Sequence, residues 1–147
     1  MRISRDEWGL RVAEVHALRS TCLRRSVGCF LVDADGYPVG EGYNGVEAGA
    51  PHCGEGVARC PALSAPSGAD LDGCNALHAE WNALIRCRDV RRIDACYVTV
   101  SPCVTCTKML MNTSCRRIVF RSVYEAHVER SRALWLTKVG RRWECIP

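Results

Sequence analysis

The sequence has no long run of apolar residues. Its longest apolar stretches, such as residues 27–32, fall far short of the roughly 20 residues that a membrane span needs, so no membrane partner is expected. The first residues are polar and charged, without the apolar core of a signal peptide. Low-complexity tracts and internal repeats are also missing, and a chain of 147 residues fits one domain, 1–147. These absences predict a single globular domain in the cytoplasm.

A strong excess of charge of either sign is missing as well. The net charge is +4 at pH 7, and the isoelectric point is about 8.5. A mildly basic chain suits the handling of anionic small molecules, but these charges are too few and too scattered to indicate a nucleic-acid surface. We therefore expect a small-molecule partner and no nucleic acid.

Cysteine, by contrast, is abundant, with eleven residues in the chain. Such a count can indicate a disulfide framework in a short secreted protein. Here the count is odd, no signal peptide is predicted, and one pair has the spacing Cys-x-x-Cys. In a reducing cytosol, these features favour a division between metal ligands and buried apolar cysteines, such as Cys29 and Cys96 within apolar strands.

Short periodic segments alternate along the chain. Helices are predicted over residues 6–20, 76–86, 103–111 and 125–136, and strands over 27–33, 37–41, 95–100, 117–120 and 143–146. In the first helix Trp8, Val12, Val15 and Leu18 share one face, which we expect to be the buried one. An irregular segment rich in Gly, Pro, Ala and Ser predicts a long loop at about 44–75. The order of elements predicts a three-layer α/β/α sandwich with a central mixed sheet of about five strands.

Two short motifs carry the chemistry. His78 and Glu80 stand at the start of one predicted helix, and Cys103 and Cys106 stand at the start of another, after Pro102. Two thiolates at a helix N-terminus are electrostatically favoured and can bind one ion. His78 supplies a third ligand, which leaves one tetrahedral position for water, as in catalytic zinc sites. The pattern matches the H-x-E and P-C-x-x-C signature of zinc nucleobase deaminases.

Glu80 is predicted to be the catalytic residue. A zinc-bound water has a pKa near neutrality, and a carboxylate two residues from His78 is close enough to take its proton without being a ligand. Taken singly, His78 would more often be a structural histidine, and Cys103 with Cys106 a redox or zinc-knuckle pair. Their joint occurrence in this order, each at a predicted helix start, favours the catalytic interpretation.

A wider set of motifs resembles the deoxycytidylate (dCMP) deaminases of the cytidine deaminase-like superfamily. The similarity runs from about Cys22 to Tyr124. Its motifs are Cys-Leu-Arg-Arg-Ser-Val-Gly at 22–28, Glu-Gly-Tyr-Asn-Gly-Val at 41–46 and His-Cys at 52–53, followed by the two chemical motifs within 78–84 and 97–106. The Gly-Tyr-Asn-Gly and the later His-Cys separate this family from its relatives.

The resemblance implies roles for individual residues. Zinc would lie on His78, Cys103 and Cys106, with Glu80 as the proton shuttle. Asn44 would contact the sugar, Arg24 or Arg25 would contact the 5′-phosphate, and Tyr124 would lie near the nucleotide. Ala79 and Ser101, next to the metal ligands, complete the expected substrate contacts. The alternatives are a solvated basic helix end for Arg24 and Arg25, and core packing for Tyr124.

A second, structural zinc is also implied by the resemblance, because some family members carry one near the irregular loop. Cys22 and Cys53 match two of its ligand positions. Ala76 stands where a histidine ligand can occur, so Cys60 and Cys74 would have to substitute. Four cysteines would form a closed tetrahedral site able to order the loop. The alternative is that the four are free thiols.

The expected activity is hydrolysis of dCMP to dUMP and ammonia, which would supply dUMP for thymidylate synthesis. The alternatives are action on dCTP or a 5-substituted dCMP, a deaminase acting on tRNA adenosine or on free cytidine, and a zinc-binding module without catalysis. The family further implies control by dCTP and dTTP, with Mg²⁺ accompanying an allosteric nucleotide. It also implies a homo-oligomer, commonly a hexamer.

Overall fold

A five-stranded mixed sheet forms the centre of the computed structural model, which describes residues 1–55, 60, 63–69 and 71–147. The elements in chain order are α1 (Arg5–Ala17), β1 (Gly28–Val32), β2 (Pro38–Tyr43), α2 (Ala79–Arg86), β3 (Ala95–Val100), α3 (Val104–Met111), β4 (Arg117–Ser122), α4 (Val128–Trp135) and β5 (Arg142–Cys145). No helix among the described residues is long and apolar enough to cross a membrane.

The strand order is β2-β1-β3-β4-β5. Strand β1 is antiparallel to both β2 and β3, whereas β3, β4 and β5 run parallel to one another. The parallel half follows from the two helical crossovers, α3 between β3 and β4 and α4 between β4 and β5. The predicted mixed sheet of about five strands is therefore confirmed.

Helices cover both faces of the sheet, as the predicted three-layer sandwich requires. All five residues of β1 are buried, because a strand covered on both faces has no solvated side. Its alternate residues Phe30 and Val32 belong to the core cluster under α1, and Cys29 and Leu31 belong to the cluster under α2, α3 and α4. Both clusters pack against the central strand β3.

The buried face of α1 differs from the expected one. Leu10 and Ala13 are buried, and Trp8 and Val12 of the predicted face pack against the same core cluster. Val15 and Leu18 are 63% and 83% exposed, so only the N-terminal part of the predicted apolar face is buried. Small residues face the sheet because α1 lies very close to it. A Cβ on Gly9 would come within 2.5 Å of the Tyr97 ring.

Several boundaries also moved, including the start of α4, which is Val128 rather than 125. Helix α1 ends at Ala17 rather than near residue 20, and α2 begins at Ala79 rather than 76. The later start of α2 has a local cause, because Leu77 exchanges two backbone hydrogen bonds with Gly45, of 3.1 and 2.9 Å. This bridge keeps the chain extended until His78 and joins it to the end of β2.

The structure describes most of the segment predicted to be a long irregular loop. Between 46 and 76, the described residues form turns and short 3-10 segments, including Leu71–Gly73, and none of them lies in an α-helix or a strand. Residues 56–59, 61, 62 and 70 of the predicted loop lie outside the described residues.

Candidate active site

His78 is presented by the start of α2. It is the residue before the helix, with an extended backbone, and its side chain makes no capping hydrogen bond. Helix α2 packs closely on β2, because Gly42 has no side chain where a Cβ would lie 2.6 Å from the Ala83 nitrogen. The imidazole is therefore held by a fixed helix and is free to contact groups from another element.

The two cysteines are presented by the start of α3, which follows the carboxyl end of β3. Cys103 precedes the helix, and its Sγ accepts a hydrogen bond from the Cys106 nitrogen at 3.4 Å. Both side chains are buried. A sulfur at this position accepts from a backbone N–H that the first turn of a helix leaves unpaired. The geometry of the helix start therefore sets the direction of the buried sulfur.

The three side chains converge on one point. His78 Nδ1 lies 3.3 Å from Cys106 Sγ and 3.5 Å from Cys103 Sγ, and the three possible ligand atoms lie within 4.8 Å of one another. One imidazole nitrogen and two sulfurs at these separations can surround a single ion with bonds of about 2.0–2.3 Å. The donor set fits zinc and leaves a coordination position without a protein ligand.

The thiols differ in their electrostatic surroundings. The pKa of the Cys103 thiol is lowered to about 4, chiefly by a hydrogen bond from the Cys106 thiol and further by His78. Burial raises the pKa of the Cys106 thiol. Cys103 is therefore the thiol of the pair that loses its proton more readily, and the thiolate is the form that coordinates metals.

Glu80 lies in the first turn of α2, where it is only 4% exposed. Burial raises the pKa of its carboxyl above the usual range. It lines the same cavity as His78 and Cys103. A buried carboxyl beside a metal-binding group is suited to carrying a proton between water and a bound molecule.

A cavity of about 280 Å³ opens over these groups. All six residues expected to contact a substrate line it: Arg24, Arg25, Asn44, Ala79, Ser101 and Tyr124. Cys22, Cys60 and Cys74 also line it. The arginines come from the segment between α1 and β1, and Tyr124 follows β4, so residues far apart in the sequence form one pocket.

The amide of Asn44 is engaged with the protein itself. Its Oδ1 accepts hydrogen bonds from Ser20 Oγ at 2.5 Å and from the Val27 nitrogen at 2.8 Å. Its Nδ2 donates to the Arg25 carbonyl at 2.7 Å. These bonds hold the segment that carries both arginines, and the expected sugar contact of Asn44 stays a prediction.

Tyr124 and Ser101 line the pocket and contact each other. The Tyr124 nitrogen donates to Ser101 Oγ at 2.7 Å, and the Ser101 side chain is buried. The Arg25 guanidinium lies over the Tyr124 ring, 5.5 Å from its centre. Tyr124 is half-buried and belongs to neither core cluster, so its ring is a pocket wall rather than core packing.

The four cysteines of the predicted second zinc site are neighbours, but they do not converge as tightly. Burial raises the pKa of the Cys53 thiol, and the nearby thiols of Cys22, Cys74 and Cys60 raise it further. Among the described residues, only His78, Cys103 and Cys106 form a set of three metal-ligating side chains within 4.8 Å. A second zinc therefore stays a proposal.

The remaining cysteines are buried to different degrees, and Cys145 is exposed. All eleven lie in the described part of the chain, and all are free. Cys29 and Cys96 are completely buried, with their sulfurs 3.6 Å apart.

The sequence did not single out two parts of this site. His127, just before α4, contacts both Tyr124 and the start of α3, and residues 67–69 of the irregular segment line the cavity. A lone histidine and a Ser-Gly-Ala triplet carry no motif. The only available signal was the nearness of His127 to Tyr124 in the sequence.

Comparison with known proteins identifies the family. A family profile for the cytidine and deoxycytidylate deaminase zinc-binding region matches residues 3–122. The chain is 35% identical over 127 residues to a deoxycytidylate deaminase of Schizosaccharomyces pombe, and the match spans 84% of this chain and 38% of that protein. It is 37% identical over 123 residues to the deoxycytidylate deaminase of Mycobacterium phage D29, spanning 78% of this chain and 92% of the phage protein.

The fold agrees with this assignment. The dCMP deaminase from cyanophage S-TIM5, solved with dCMP and dUMP, superposes with a TM-score of 0.75 at 24% identity, over 99% of both chains. The sheet and the three converging ligands therefore define a metal-binding deaminase fold. The chain belongs to the cytidine and deoxycytidylate deaminase family, as the sequence motifs predicted. It spans about two-fifths of the length of the S. pombe relative.

Proposed function

We propose that the chain catalyses the hydrolysis of dCMP to dUMP and ammonia. The observation that carries this proposal is the convergence of His78, Cys103 and Cys106 next to the buried carboxyl of Glu80. The relatives named as deoxycytidylate deaminases, and the neighbour solved with dCMP and dUMP, support dCMP as the substrate. In this reaction the bond between cytosine C4 and its amino nitrogen breaks, and a bond to the oxygen of water forms.

Zinc on His78, Cys103 and Cys106 would supply a water of lowered pKa at the pocket floor. Glu80 accepts the proton of that water and delivers it to the ring nitrogen of cytosine. It then carries the second proton to the departing amino group, which leaves as ammonia. The burial of Glu80 excludes bulk water from this transfer, so the proton moves between the carboxyl and the bound base.

The other end of the pocket suits the 5′-phosphate. Arg24 and Arg25 line it, and a guanidinium can donate two hydrogen bonds to a phosphate at once. Arg25 is held at both ends, by the bond from Asn44 to its carbonyl and by the contact of its guanidinium with Tyr124. We therefore assign the phosphate contact to Arg25 in the first place, with Ala79, Ser101, Asn44 and Tyr124 forming the walls for the base and sugar.

The test is ammonia release by the purified chain from dCMP, deoxycytidine, dCTP, 5-methyl-dCMP, cytidine and tRNA. We expect the highest kcat/KM with dCMP. In Glu80→Gln, kcat should fall by at least about 10²–10⁴-fold, because the amide keeps the shape of the side chain but cannot carry the proton. Zinc content and fold should be retained.

Glu129→Gln is the matched control, because Glu129 is also in the first turn of a helix but is exposed. Equal efficiency with dCMP and deoxycytidine would instead assign a nucleoside enzyme, and a preference for tRNA would assign an adenosine deaminase. Near-normal turnover by a folded Glu80→Gln protein would overturn the mechanism. A chain that holds zinc and deaminates none of these compounds would be a binding module.

A second zinc on Cys22, Cys53, Cys60 and Cys74 is a further proposal. It is supported by the packing of the two segments that carry Cys22 and Cys53, since a Cβ on Gly54 would lie 2.8 Å from the Leu23 side chain. Cys60 is buried even though the segment around it has few large apolar residues. Four thiolates closing on one ion would stabilise this segment.

Some proposals rest on the family alone. These are a homo-oligomer such as a hexamer, and control by dCTP or dTTP together with Mg²⁺. A cytoplasmic location is supported by the eleven free cysteines, since thiols persist in reducing compartments. Size-exclusion chromatography and activity with added dCTP, dTTP and Mg²⁺ test the first two.

A further inference from the structure

His127 joins parts of the pocket that are distant in sequence. It lies between β4 and α4 and is half-buried. Within contact distance are the first residue of α3, the ring of Tyr124 and the irregular segment at Gly68. Neither the metal-binding group nor the proposed proton transfer uses this side chain.

One contact fixes the imidazole to the helix that carries the cysteines. His127 Nδ1 accepts a hydrogen bond from the Val104 nitrogen at 3.2 Å. Val104 begins α3 directly after Cys103, and its N–H has no partner within the helix. With Nδ1 as the acceptor, a neutral imidazole carries its proton on Nε2, so one bond sets both the position and the tautomer of the ring.

A second contact connects the imidazole to Arg25 through the Tyr124 ring. The His127 and Tyr124 rings are stacked, with centres 4.8 Å apart and an angle of 22° between their planes. The Arg25 guanidinium also lies over the Tyr124 ring, 5.5 Å from its centre. The three side chains therefore form a continuous series from the start of α3 to the cation proposed to bind phosphate.

The third contact packs the irregular segment against the same histidine. Gly68 has a φ of +81°, and a Cβ there would lie 2.8 Å from Ala126 Cβ and 3.1 Å from His127 Nε2. Only glycine fits this close approach in a left-handed backbone conformation. The pocket wall at 67–69 is thereby placed against His127.

We propose that His127 is a positioning residue for the substrate phosphate, which orients the Arg25 guanidinium through the Tyr124 ring. This inference rests on the proposed function. If His127 acts in this way, its loss should weaken binding of the phosphate and leave the chemistry at the metal unchanged. The variants therefore raise KM for dCMP and leave kcat, as well as kcat/KM for deoxycytidine, near the wild-type values.

Three variants separate the contacts. His127→Asn keeps an acceptor at the position of Nδ1 and removes the ring, His127→Phe keeps a ring and removes the acceptor, and His127→Ala removes both. Aromatic pairs contribute enough for a change of about three- to tenfold in affinity, so KM for dCMP should rise about that much in His127→Ala and less in His127→Phe. His16→Ala, a histidine of α1 outside the pocket, is the control.

A double variant tests the connection through Arg25. If His127 acts through the guanidinium, His127→Ala should not raise KM for dCMP further in an Arg25→Ala background. Additive effects of the two changes would overturn the proposal. An unchanged KM in His127→Ala would also overturn it. An equal loss of kcat on dCMP and deoxycytidine, accompanied by loss of zinc, would show that His127 only supports α3.

Failure of the role proposed for His127 can be distinguished from failure of the proposed function, because the wild-type chain is measured first. Wild type without dCMP deamination refutes the function itself. If His127→Ala does not fold, the Asn and Phe variants decide. In either of them, a KM for dCMP equal to wild type together with an altered kcat would overturn the positioning role.

Discussion

The neighbouring residues Arg24 and Arg25 have the same side chain and line the same cavity. Arg25 is held by the hydrogen bond from Asn44 to its carbonyl and by the Tyr124 ring under its guanidinium. A guanidinium held in place before binding loses less conformational entropy when it binds an anion. At the scale of single residues, this preorganisation makes Arg25 suited to contact the phosphate.

The corresponding prediction concerns substrate affinity. Arg25→Ala should raise KM for dCMP by about tenfold to a hundredfold, because hydrogen bonds to charged groups contribute roughly 1.5–3 kcal/mol. Turnover of deoxycytidine, which has no phosphate, should barely change. Steady-state kinetics on both substrates make the measurement, with the exposed Arg19→Ala as control. A larger effect of Arg24→Ala would move the phosphate contact to that residue.

At the scale of elements, α1 is attached to the sheet by a group of charged residues. The Arg117 guanidinium on β4 donates to both carboxylate oxygens of Asp6, at 3.0 and 2.9 Å, and to Glu144 of β5 at 2.8 Å. The Tyr97 hydroxyl of β3 donates to Asp6 at 2.8 Å. The hydrogen bond from Arg117 lowers the pKa of Asp6. One carboxylate thus joins α1 to two central strands.

Asp6→Asn should lower the free energy of unfolding by about 1–2 kcal/mol, since the group is partly exposed and its interactions are partly screened. A carboxyl whose pKa is lower in the folded state stabilises the fold above its unfolded pKa, about 3.9. That stabilisation disappears as the pH falls through the folded pKa. The difference between wild type and variant in urea unfolding should therefore be full at pH 7 and shrink below about pH 4.

The control for this prediction is Asp35→Asn, at an exposed turn between β1 and β2. It should have little effect on stability at either pH, because its carboxylate lies outside the ion pairs of α1. A difference for Asp6→Asn that is independent of pH would contradict the role of its charge and leave only the hydrogen bond from Tyr97.

At the scale of the whole molecule, the segment between β2 and α2 contains few large apolar residues but forms one wall of the pocket. Ordering a backbone costs about 1–2 kcal/mol per residue, so such a segment needs attachments besides apolar burial. The close packing at Gly68 and the bridge between Gly45 and Leu77 are two of them. The proposed second zinc would be a third.

If that zinc is present, the chain should contain two zinc ions, falling to one in Cys60→Ser or Cys74→Ser. The melting temperature should fall by more than about 10 °C, because a structural zinc contributes on the order of 10 kcal/mol. Metal analysis of protein purified without chelator and thermal unfolding provide the measurements. Cys145→Ser, at an exposed thiol far from the segment, is the control. One zinc per wild-type chain would refute the site.

The sequence alone was sufficient for the class of fold and for the chemical centre. His78, Cys103 and Cys106 could be recognised from the H-x-E and P-C-x-x-C motifs at two predicted helix starts, where local geometry sets the direction of a side chain. The catalytic role of Glu80 stays a prediction. The alternation of strands and helices after Ala95 required parallel strands, because each helix must return the chain to the same edge of the sheet. Both inferences depend only on interactions between residues close in sequence.

Tertiary contacts decided the rest. Which face of α1 is buried depended on how closely it approaches Tyr97, and the start of α2 depended on the bridge from Leu77 to Gly45. The role proposed for His127 follows from its contacts with Val104 and Tyr124, and that of Arg25 from Tyr124. Most of these contacts join segments far apart in the chain, and no local pattern encodes them. They form only when the sheet brings the ends of its strands together.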